Sequence, residues 1–365
     1  MSKKGLFALF IIAAVSVTLF ASVLGPREGE NEESGNTASA GFESDAVIGI
    51  SLPWLGTQNW KEAETMFTEQ LQAAGYKPVV QAADQKVTQQ QQQIESMIEN
   101  GARVIVVGPV DGSQLGSVLE KANDKGVYII GYDRLIENTS GVDGVVQFGS
   151  IETGRKQGQA LLDGLKELKG DGPYNIELFA GGPADPNAPN FFKGAMEKLQ
   201  PEIDAGNIVV VSGQTEFTKC ATEDWDNGKA QKRMESLLAG HYSDKDIHGV
   251  LSPNDGIARA ILTACEDAGQ PVPVVTGLDA ENESVKLVWE GRQYCTVAKP
   301  TSDLVSKTVE IIDNLQKGDG MPEADTSAYN GKTEVPVYEL PPVVVTKANA
   351  KEVFADDPER MKLLK

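Results

Sequence analysis

The sequence is poor in the residues that most often build metal centres and disulfide frameworks, with two histidines and three cysteines among 365 residues. His241 and His248 have no Cys or His partner at the spacing of a metal site. Cys265 and Cys295 lie in apolar patterns and are predicted to be buried, whereas Cys220 lies among polar residues in a predicted loop. Disulfide frameworks use an even number of densely spaced cysteines. The sequence therefore predicts no metal site and no disulfide framework, and a single disulfide stays open.

Positive charge is also scarce. The chain has 33 Lys and Arg against 53 Asp and Glu, a formal net charge of −20. Binding to nucleic acid or to an anionic membrane surface requires clustered Lys and Arg, so we exclude nucleic acid as a partner. The sequence also lacks the GxSxG, GxxxxGK[ST] and GxGxxG motifs of hydrolases, phosphate-binding loops and dinucleotide-binding folds, and no residue pattern points to a cofactor.

Only one long apolar run occurs, Gly5 to Leu24, and it follows Lys3 and Lys4. A short basic start before an apolar run is typical of an export signal. The run of 20 residues is also long enough to span a bilayer. Residues 1–24 are therefore interpreted as a signal peptide or a membrane anchor, with both alternatives open, and the polar residues 25–45 as a disordered tether.

Strand and helix patterns alternate through the rest of the chain, which has enough residues for two domains. Such alternation predicts an α/β fold whose parallel sheets are covered by helices on both faces. One strand, turn, helix and strand unit, residues 249–281, echoes an earlier unit, residues 104–134. Two similar units in one chain predict two similar α/β lobes.

Each unit ends with an acid just past its second strand, Asp133 in the first unit and Asp279 in the second. In open α/β sheets, ligands bind outside the carboxyl ends of the strands. Either acid alone could simply begin a loop. Their matched positions favour a ligand-binding cleft shared by the two lobes.

Planar polar side chains and aromatic rings follow other predicted strands as well. Asp, Asn, Arg and Lys offer the acceptors and donors that sugar hydroxyls need, and an aromatic ring can cover the apolar face of a pyranose. Core packing is the alternative for the tryptophans. The candidate ligand-binding residues are Asn59, Trp60, Asp133, Arg134, Asp185, Asn187, Trp225, Asn254, Asp279 and Lys299.

Five segments together carry a resemblance to a known family: GYDRLI at 131–136, GPYNIELFAGGPADPNA at 172–188, VLSPNDG at 250–256, TGLDAE at 276–281 and TVAKPT at 296–301. On these residues the chain resembles the periplasmic monosaccharide-binding proteins of ABC transporters, in particular the multiple-sugar-binding receptors and xylose-binding proteins. The resemblance covers nearly the whole chain after residue 45.

The resemblance implies the type I periplasmic binding protein fold, with two doubly wound parallel-sheet lobes joined by a three-segment hinge. It predicts an N-terminal lobe of residues 46–148 plus 300–331 and a C-terminal lobe of residues 149–299 plus 332–365. The chain is expected to cross between them near residues 148–150, 298–300 and 331–333.

The resemblance also implies roles for individual residues. Asp133, Arg134, Asp185, Asn187, Asn254, Asp279 and Lys299 would be the polar sugar contacts, and Trp225 an aromatic wall. Two departures bear on which sugar binds. Asn59 stands where the family commonly has Arg, and Phe148, Gly149 and Ser150 stand where it commonly has Phe, Asp and Asn.

The sequence thus predicts an exported, extracytoplasmic protein that is not an enzyme. It would capture a monosaccharide, an aldopentose or aldohexose such as xylose, glucose, galactose or arabinose, and deliver it to an ABC permease, with a chemoreceptor as a further partner. The alternative is an exported carbohydrate-active enzyme that uses Asp133 and Asp279 as paired carboxylates. A sugar-responsive regulator of the same fold would need an N-terminal DNA-binding module, which residues 1–45 do not resemble.

Overall fold

The computed structural model describes residues 41–365, and in this part of the chain the strands form three sheets. The strands are β1 (Val47–Leu52), β2 (Lys77–Ala82), β3 (Val104–Val107), β4 (Tyr128–Tyr132), β5 (Gly144–Phe148), β6 (Tyr174–Leu178), β7 (Ile208–Val210), β8 (Gly249–Leu251), β9 (Val274–Val275), β10 (Cys295–Ala298), β11 (Thr326–Tyr329), β12 (Glu334–Leu340) and β13 (Val343–Thr346).

Helices separate most of these strands along the chain. They are α1 (Gln58–Ala73), α2 (Val87–Glu99), α3 (Gly116–Asp124), α4 (Ser150–Lys169), α5 (Asn187–Asp204), α6 (Phe217–Cys220), α7 (Asn227–His241), α8 (Asp255–Asp267), α9 (Asn282–Glu290), α10 (Thr301–Lys317), α11 (Ala350–Val353) and α12 (Pro358–Leu363), with a 3₁₀ turn at Glu223–Trp225.

The first sheet has the strand order β11-β12-β5-β4-β3-β1-β2, and every pair in it is parallel except the edge pair β11 and β12. The second sheet, β7-β6-β8-β9, is entirely parallel. A small antiparallel sheet joins β10 to β13. The α/β fold class with parallel sheets, predicted from the alternating pattern, is confirmed.

Local sequence explains why these segments adopt these structures. Strand β3 is a run of four β-branched residues, all buried, as expected for a strand covered on both faces. In α1, Ala63, Phe67 and Leu71 are fully buried and recur at helical spacing, so one side of the helix packs on the first sheet.

The hydrophobic cores of the two large sheets use different parts of the chain. Those of the first sheet contain residues 42–148 and 304–338, whereas those of the second contain residues 161–275. The chain crosses between the two groups of elements three times, from β5 to α4 at Gly149, from β10 to α10 at residues 299–300, and from β12 to β13 at residues 341–342.

The third crossing corrects the sequence prediction, which placed it at residues 331–333 and assigned residues 332–365 to the C-terminal lobe. Strand β12 instead belongs to the first sheet, where Val337 lies opposite Val145 of β5 and is buried in that sheet's core. Pro341 and Pro342 follow the strand, and because proline has no backbone N–H it cannot extend the ladder. The division of the remaining residues into lobes stays a prediction.

The predicted tether also ends earlier than residue 45. Phe42 is buried in the first core and its N–H donates to the carbonyl of Gln316 over 3.2 Å, while Asp45 pairs with Lys77. The sequence prediction rested on the polar residues around Phe42. Burial of the Phe42 ring is favourable enough to place this segment against the core despite those neighbours. The predicted signal peptide or anchor, and tether residues 25–40, lie outside the described residues. No helix within residues 41–365 is long and apolar enough to cross a membrane.

All three cysteines are free and buried. Cys220, predicted to lie in a loop, ends the short helix α6 and packs in the core of the second sheet.

Candidate ligand-binding cavity

A cavity with about 390 Å³ of empty space, part of it open to solvent, lies where the carboxyl ends of the strands of both large sheets meet. All ten residues predicted from the sequence line it, and their role in ligand binding stays a prediction. The lining consists of Trp54, Thr57, Asn59, Trp60, Asp133, Arg134, Asp185, Asn187, Phe191, Trp225, Asn254, Leu278, Asp279 and Lys299.

Asp133 and Asp279 reach the cavity with the same unusual backbone conformation. Their φ angles are +63° and +89°, in the left-handed region that few residues other than glycine adopt. Asp tolerates this region better than most residues, and such conformations concentrate at functional sites. The backbone N–H of Asp133 donates to the carbonyl of Val146, and that of Asp279 donates to the carbonyl of Val297, each on a neighbouring strand. The repeat seen in the sequence thus corresponds to a repeated turn.

Lys299 connects these two acids. Its Nζ lies 3.3 Å from Oδ1 of Asp133 and 3.3 Å from Oδ1 of Asp279, and all three side chains are largely buried. Burial alone would lower the pKa of Lys299, but the carboxylates of Asp133 and Asp279 outweigh it and raise that pKa. A charged ammonium is therefore held between one acid that follows the first sheet and one that follows the second.

Arg134 makes a second ion pair across the cavity. Its Nη2 lies 2.9 Å from Oδ2 of Asp185, with both side chains less than one tenth exposed. Nη1 donates to the carbonyl of Pro109 over 2.9 Å, and the guanidinium lies 5.4 Å from the ring centre of Trp60. Burial raises the pKa of Asp185, and the positive charge of Arg134 opposes that shift. The guanidinium plane is thus fixed from three sides.

The two cavity asparagines already have protein partners. Oδ1 of Asn187 accepts from the Ser150 hydroxyl over 2.7 Å, and its Nδ2 donates to the Asp133 carbonyl over 2.8 Å. Oδ1 of Asn254 caps α8 by accepting from the N–H of Ile257 over 2.9 Å. Asn187 therefore keeps one amide hydrogen and Asn254 keeps both, and each amide oxygen keeps a second lone pair, to offer a ligand.

Trp60 and Trp225 form apolar parts of the wall. Trp60 is buried in the first core and packs on Tyr132, with ring centres 5.9 Å apart, so it is both a core residue and a lining residue. Trp225 has a φ of +56°, and its indole occupies the space beside Gly181, where a Cβ would come within 2.2 Å of the ring. Glycine at 181 is therefore what lets the indole reach the cavity.

Three buried polar atoms of the lining have no hydrogen-bond partner among the described residues: Nε of Arg134, Nε1 of Trp225 and Oδ1 of Asp279. The contact of Asp279 with Lys299 is close enough for an ion pair but lacks hydrogen-bond geometry. Buried polar groups are normally paired, and an unpaired one costs about 1 to 3 kcal/mol. Two donors and one acceptor that lack a hydrogen-bond partner suit a ligand that both accepts and donates.

Burial raises the pKa of Asp279 to about 6; the Lys299 ammonium opposes this shift, and Asp133 and Glu281 add to it. The charge on Asp279 therefore changes near neutral pH, within reach of a binding experiment.

Sequence reasoning did not select four of the lining residues. Trp54 and Thr57 lie in the loop between β1 and α1, and Leu278 directly precedes Asp279. Phe191 is four residues after Asn187 on α5, and residues i and i+4 share a helix face. That spacing and the position of Trp54 past a strand end were signals that could have identified two of the four.

Comparison with known proteins places this geometry in a family. Residues 48–320, which are most of the chain, match the family model of a periplasmic binding protein domain. The chain belongs to the periplasmic binding protein family. Members of this family bind solutes outside the cytoplasm and are not enzymes, which places this protein in the periplasm or an equivalent extracytoplasmic location and associates it with ABC transporters.

Individual relatives agree over nearly the full length. The multiple sugar-binding periplasmic receptor ChvE of Rhizobium radiobacter is 38% identical over 97% of this chain and 97% of the relative. The multiple sugar-binding periplasmic protein SbpA of Azospirillum brasilense is 41% identical over 85% of this chain and 88% of the relative.

Among solved structures, an ABC transporter solute-binding protein of Clostridium phytofermentans with bound β-D-glucose is similar, with a TM-score of 0.82 and 36% identity. The match covers 87% of this chain and all of the other. This family and structure confirm the predicted type I periplasmic binding protein fold.

Proposed function

We propose that this protein captures a monosaccharide in the cavity and delivers it to an ABC permease. The observation that carries the proposal is the set of three buried polar atoms, on Arg134, Trp225 and Asp279, that have no hydrogen-bond partner among the described residues. A sugar hydroxyl is both donor and acceptor, so one ring with several hydroxyls can satisfy all three. The relatives named as multiple sugar-binding proteins and the similar structure with β-D-glucose support the same ligand class.

The ligand is proposed to be an aldopentose or aldohexose, such as xylose, glucose, galactose or arabinose. The buried ion pairs that line the cavity suit one compact polar ring. Trp60 and Trp225 provide aromatic surface for the apolar C–H faces of such a ring. Asn59 accepts at its Oδ1 from the Thr57 hydroxyl over 2.5 Å, so this position offers an amide where the resembling proteins commonly carry a guanidinium.

Two groups of elements, one on each large sheet, are proposed to act as lobes that close on the sugar. Asp133 and Arg134 follow a strand of the first sheet, whereas Asp185, Asn254 and Asp279 follow strands of the second. A ligand that contacts both sets binds best when they converge, and this differential affinity drives closure.

The enzyme alternative is not favoured. Asp133 and Asp279 would have to work as an acid and a base or nucleophile, but both are paired with the same lysine, Lys299. The family is one of solute-binding proteins. A binder returns every sugar and aryl glycoside unchanged after incubation, which chromatography of the mixture checks.

Two finer features belong to the same proposal. Residues 1–24 act as the export signal, and the mass of the exported protein decides between a cleaved signal and a retained membrane anchor. A chemoreceptor is proposed as a second partner of the sugar-loaded form, on the strength of the family resemblance alone.

A thermal-shift screen tests the proposed function. Aldopentoses and aldohexoses form the panel, with amino acids as controls. A sugar with a Kd of about 1 μM or tighter binds with roughly −8 kcal/mol, and at about 1,000 times its Kd it stabilises the fold by about 4 kcal/mol. A panel in which no sugar raises the melting temperature would contradict the proposal.

A further inference from the structure

Arg360, on the last helix of the chain, contacts elements of both large sheets. Its Nη2 lies 3.3 Å from Oε1 of Glu62, on α1 of the first sheet, and its Nε donates over 3.0 Å to the carbonyl of Ala280, past the end of the second sheet. Asp357 accepts from Nη1 over 2.7 Å and orients the guanidinium. Neither Arg360 nor Glu62 lines the cavity.

Gln58, at the start of α1, makes a second set of contacts at the same edge of the cavity. Its backbone N–H donates to Oε1 of Glu281 over 3.2 Å, and its side-chain oxygen accepts from the N–H of Asn282 over 2.8 Å. Its Nε2 donates to Glu62 over 2.6 Å, which connects this set to Arg360. Arg259 holds the other oxygen of Glu281 at 2.5 Å.

The segments that make these contacts also carry cavity residues. Gln58 directly precedes Asn59 and Trp60 on α1, and Ala280, Glu281 and Asn282 directly follow Asp279. Any motion that separates Asn59 and Trp60 from Asp279 therefore also separates these contact partners. Opening of the cavity would therefore also break these contacts.

We propose that Gln58, Glu62, Glu281, Asn282 and Arg360 form a rim latch that slows ligand release without contacting the ligand. The proposal rests on the proposed function, in which the two groups of elements close on a sugar. Contacts made only in the closed form raise its population, and differences of this kind act mainly on the dissociation rate. Arg360 is a positioning residue of the latch rather than a ligand contact.

Arg360→Gln tests the latch by removing its charge while keeping most of the side chain. We expect the sugar dissociation rate, measured by stopped-flow displacement, to rise about 3- to 30-fold, as loss of one or two partly exposed contacts predicts. The association rate should stay within about twofold, and the order of preference among sugars should not change, because the lining is intact. Binding whose preference order changes would show that Arg360 acts on the cavity itself and would overturn the proposal.

A second variant and a control separate the latch from effects on folding. Glu62→Gln leaves α12 untouched and should speed dissociation as well, and combining it with Arg360→Gln should add less than the sum of the two effects. Arg155→Gln is the matched control, because Arg155 pairs with Glu152 of α4 and Glu197 of the adjacent helix α5, and neither pair crosses the cavity. It should leave the dissociation rate unchanged.

A measurement without sugar makes the two proposals separable. Spin labels at Glu69→Cys and Glu235→Cys, on the exposed sides of α1 and α7, report the distance between the two groups of elements, and the three natural cysteines are buried. Arg360→Gln and Glu62→Gln should shift the distances toward longer values, and Arg155→Gln should not. If the wild type binds no sugar, the proposed function fails while these distances still decide on the latch. Distances and dissociation rates that match the wild type in both latch variants overturn it.

Discussion

Single side chains set the charge balance of the cavity. Lys299 carries one positive charge between Asp133 and Asp279, and Arg134 carries another beside Asp185. The three carboxylates face two cations, so the lining has one more acid than base. A neutral sugar can bind there because its hydroxyls donate to carboxylates that burial has stripped of water.

Asp279→Ala is expected to weaken sugar binding by about 1 to 3 kcal/mol, because hydroxyl donors lose their acceptor in a closed cavity. Asp133→Ala should have a similar effect. Folding stability should not fall, since Lys299 retains the other acid in each variant. Isothermal titration and thermal melting measure the two quantities, with Asp163→Asn on the exposed side of α4 as the control. Unchanged affinity with lowered stability would make the acids structural.

The raised pKa of Asp279 predicts a pH dependence of binding. The carboxylate form accepts from sugar hydroxyls, so affinity should be full above about pH 6 and fall below it, by up to about tenfold per pH unit. Folding should respond with the opposite sign, because a carboxyl whose pKa is higher in the folded state than its model value of 3.8 destabilises the fold at neutral pH and less so as pH falls through 6.

Titrations between pH 5 and 8 check this expectation, and Asp279→Asn is the control that should flatten the profile. Asp133, Glu281 and Lys299 also face this carboxyl. Asp133 raises the pKa of Asp279 and Lys299 lowers it, so a profile that keeps its shape in Asp279→Asn would show that Asp279 is not the titrating group.

At the scale of elements, the packing of α4 on α5 positions part of the cavity wall. The helices approach so closely that a Cβ at Gly154 would come within 2.0 Å of the Phe191 carbonyl, and one at Gly194 within 2.1 Å of the Ile151 carbonyl. Helix α5 carries Asn187 and Phe191 of the lining. Pro189 is the third residue of α5. The backbone N–H groups in the first turn of a helix have no helical acceptor, so proline, which lacks this N–H, is tolerated there.

Gly154→Ala should therefore destabilise the protein by about 1 to 3 kcal/mol through overpacking. It should also weaken sugar binding, because α5 must move away from α4 and takes Asn187 and Phe191 with it. Denaturant unfolding and titration calorimetry measure the two effects. Gly240→Ala on α7 is the control, since nothing lies within 4 Å of its added Cβ, and it should stabilise by about 0.5 to 1 kcal/mol. Equal effects of the two variants would exclude close packing as the cause.

At the scale of the whole molecule, three crossing segments join the two groups of elements. Gly149 lies in the first of them with an ordinary φ of −59°, and a Cβ there would come within 2.9 Å of Oε1 of Glu339 on β12. This glycine thus allows the first and third crossings to lie side by side. The predicted hinge function of the segment stays a prediction.

Sugar binding should reduce the radius of gyration measured by small-angle scattering, because a ligand held by both groups of elements favours the closed form. Converting a population from 1:99 to 99:1 takes about 5.5 kcal/mol of differential affinity. A sugar that gives no thermal shift is the control. An unchanged radius at saturation would contradict closure, and Gly149→Pro closing like the wild type would exclude Gly149 as the hinge.

The sequence alone was sufficient for the fold class and for the list of ten cavity residues. Helix and strand periodicity is local, and so are the turns that end in Asp133 and Asp279, so both can be read without knowing which strands are neighbours. Strand ends then meet at one edge of each sheet, which brings residues far apart in the chain to one place.

Only the tertiary structure decided which groups pair inside the cavity and where the chain crosses for the third time. Lys299 and Asp133 are 166 residues apart in the chain. The hydrogen bonds of the Asn187 amide with the Ser150 hydroxyl and the Asp133 carbonyl depend on where α5 lies relative to β4. Strand β12 joins β5 because a buried row of valines matches the first core, and no local pattern distinguishes that partner from another parallel strand. Periodicity reports which side of an element is buried, and the order of strands in the sheets determines what that side is buried against.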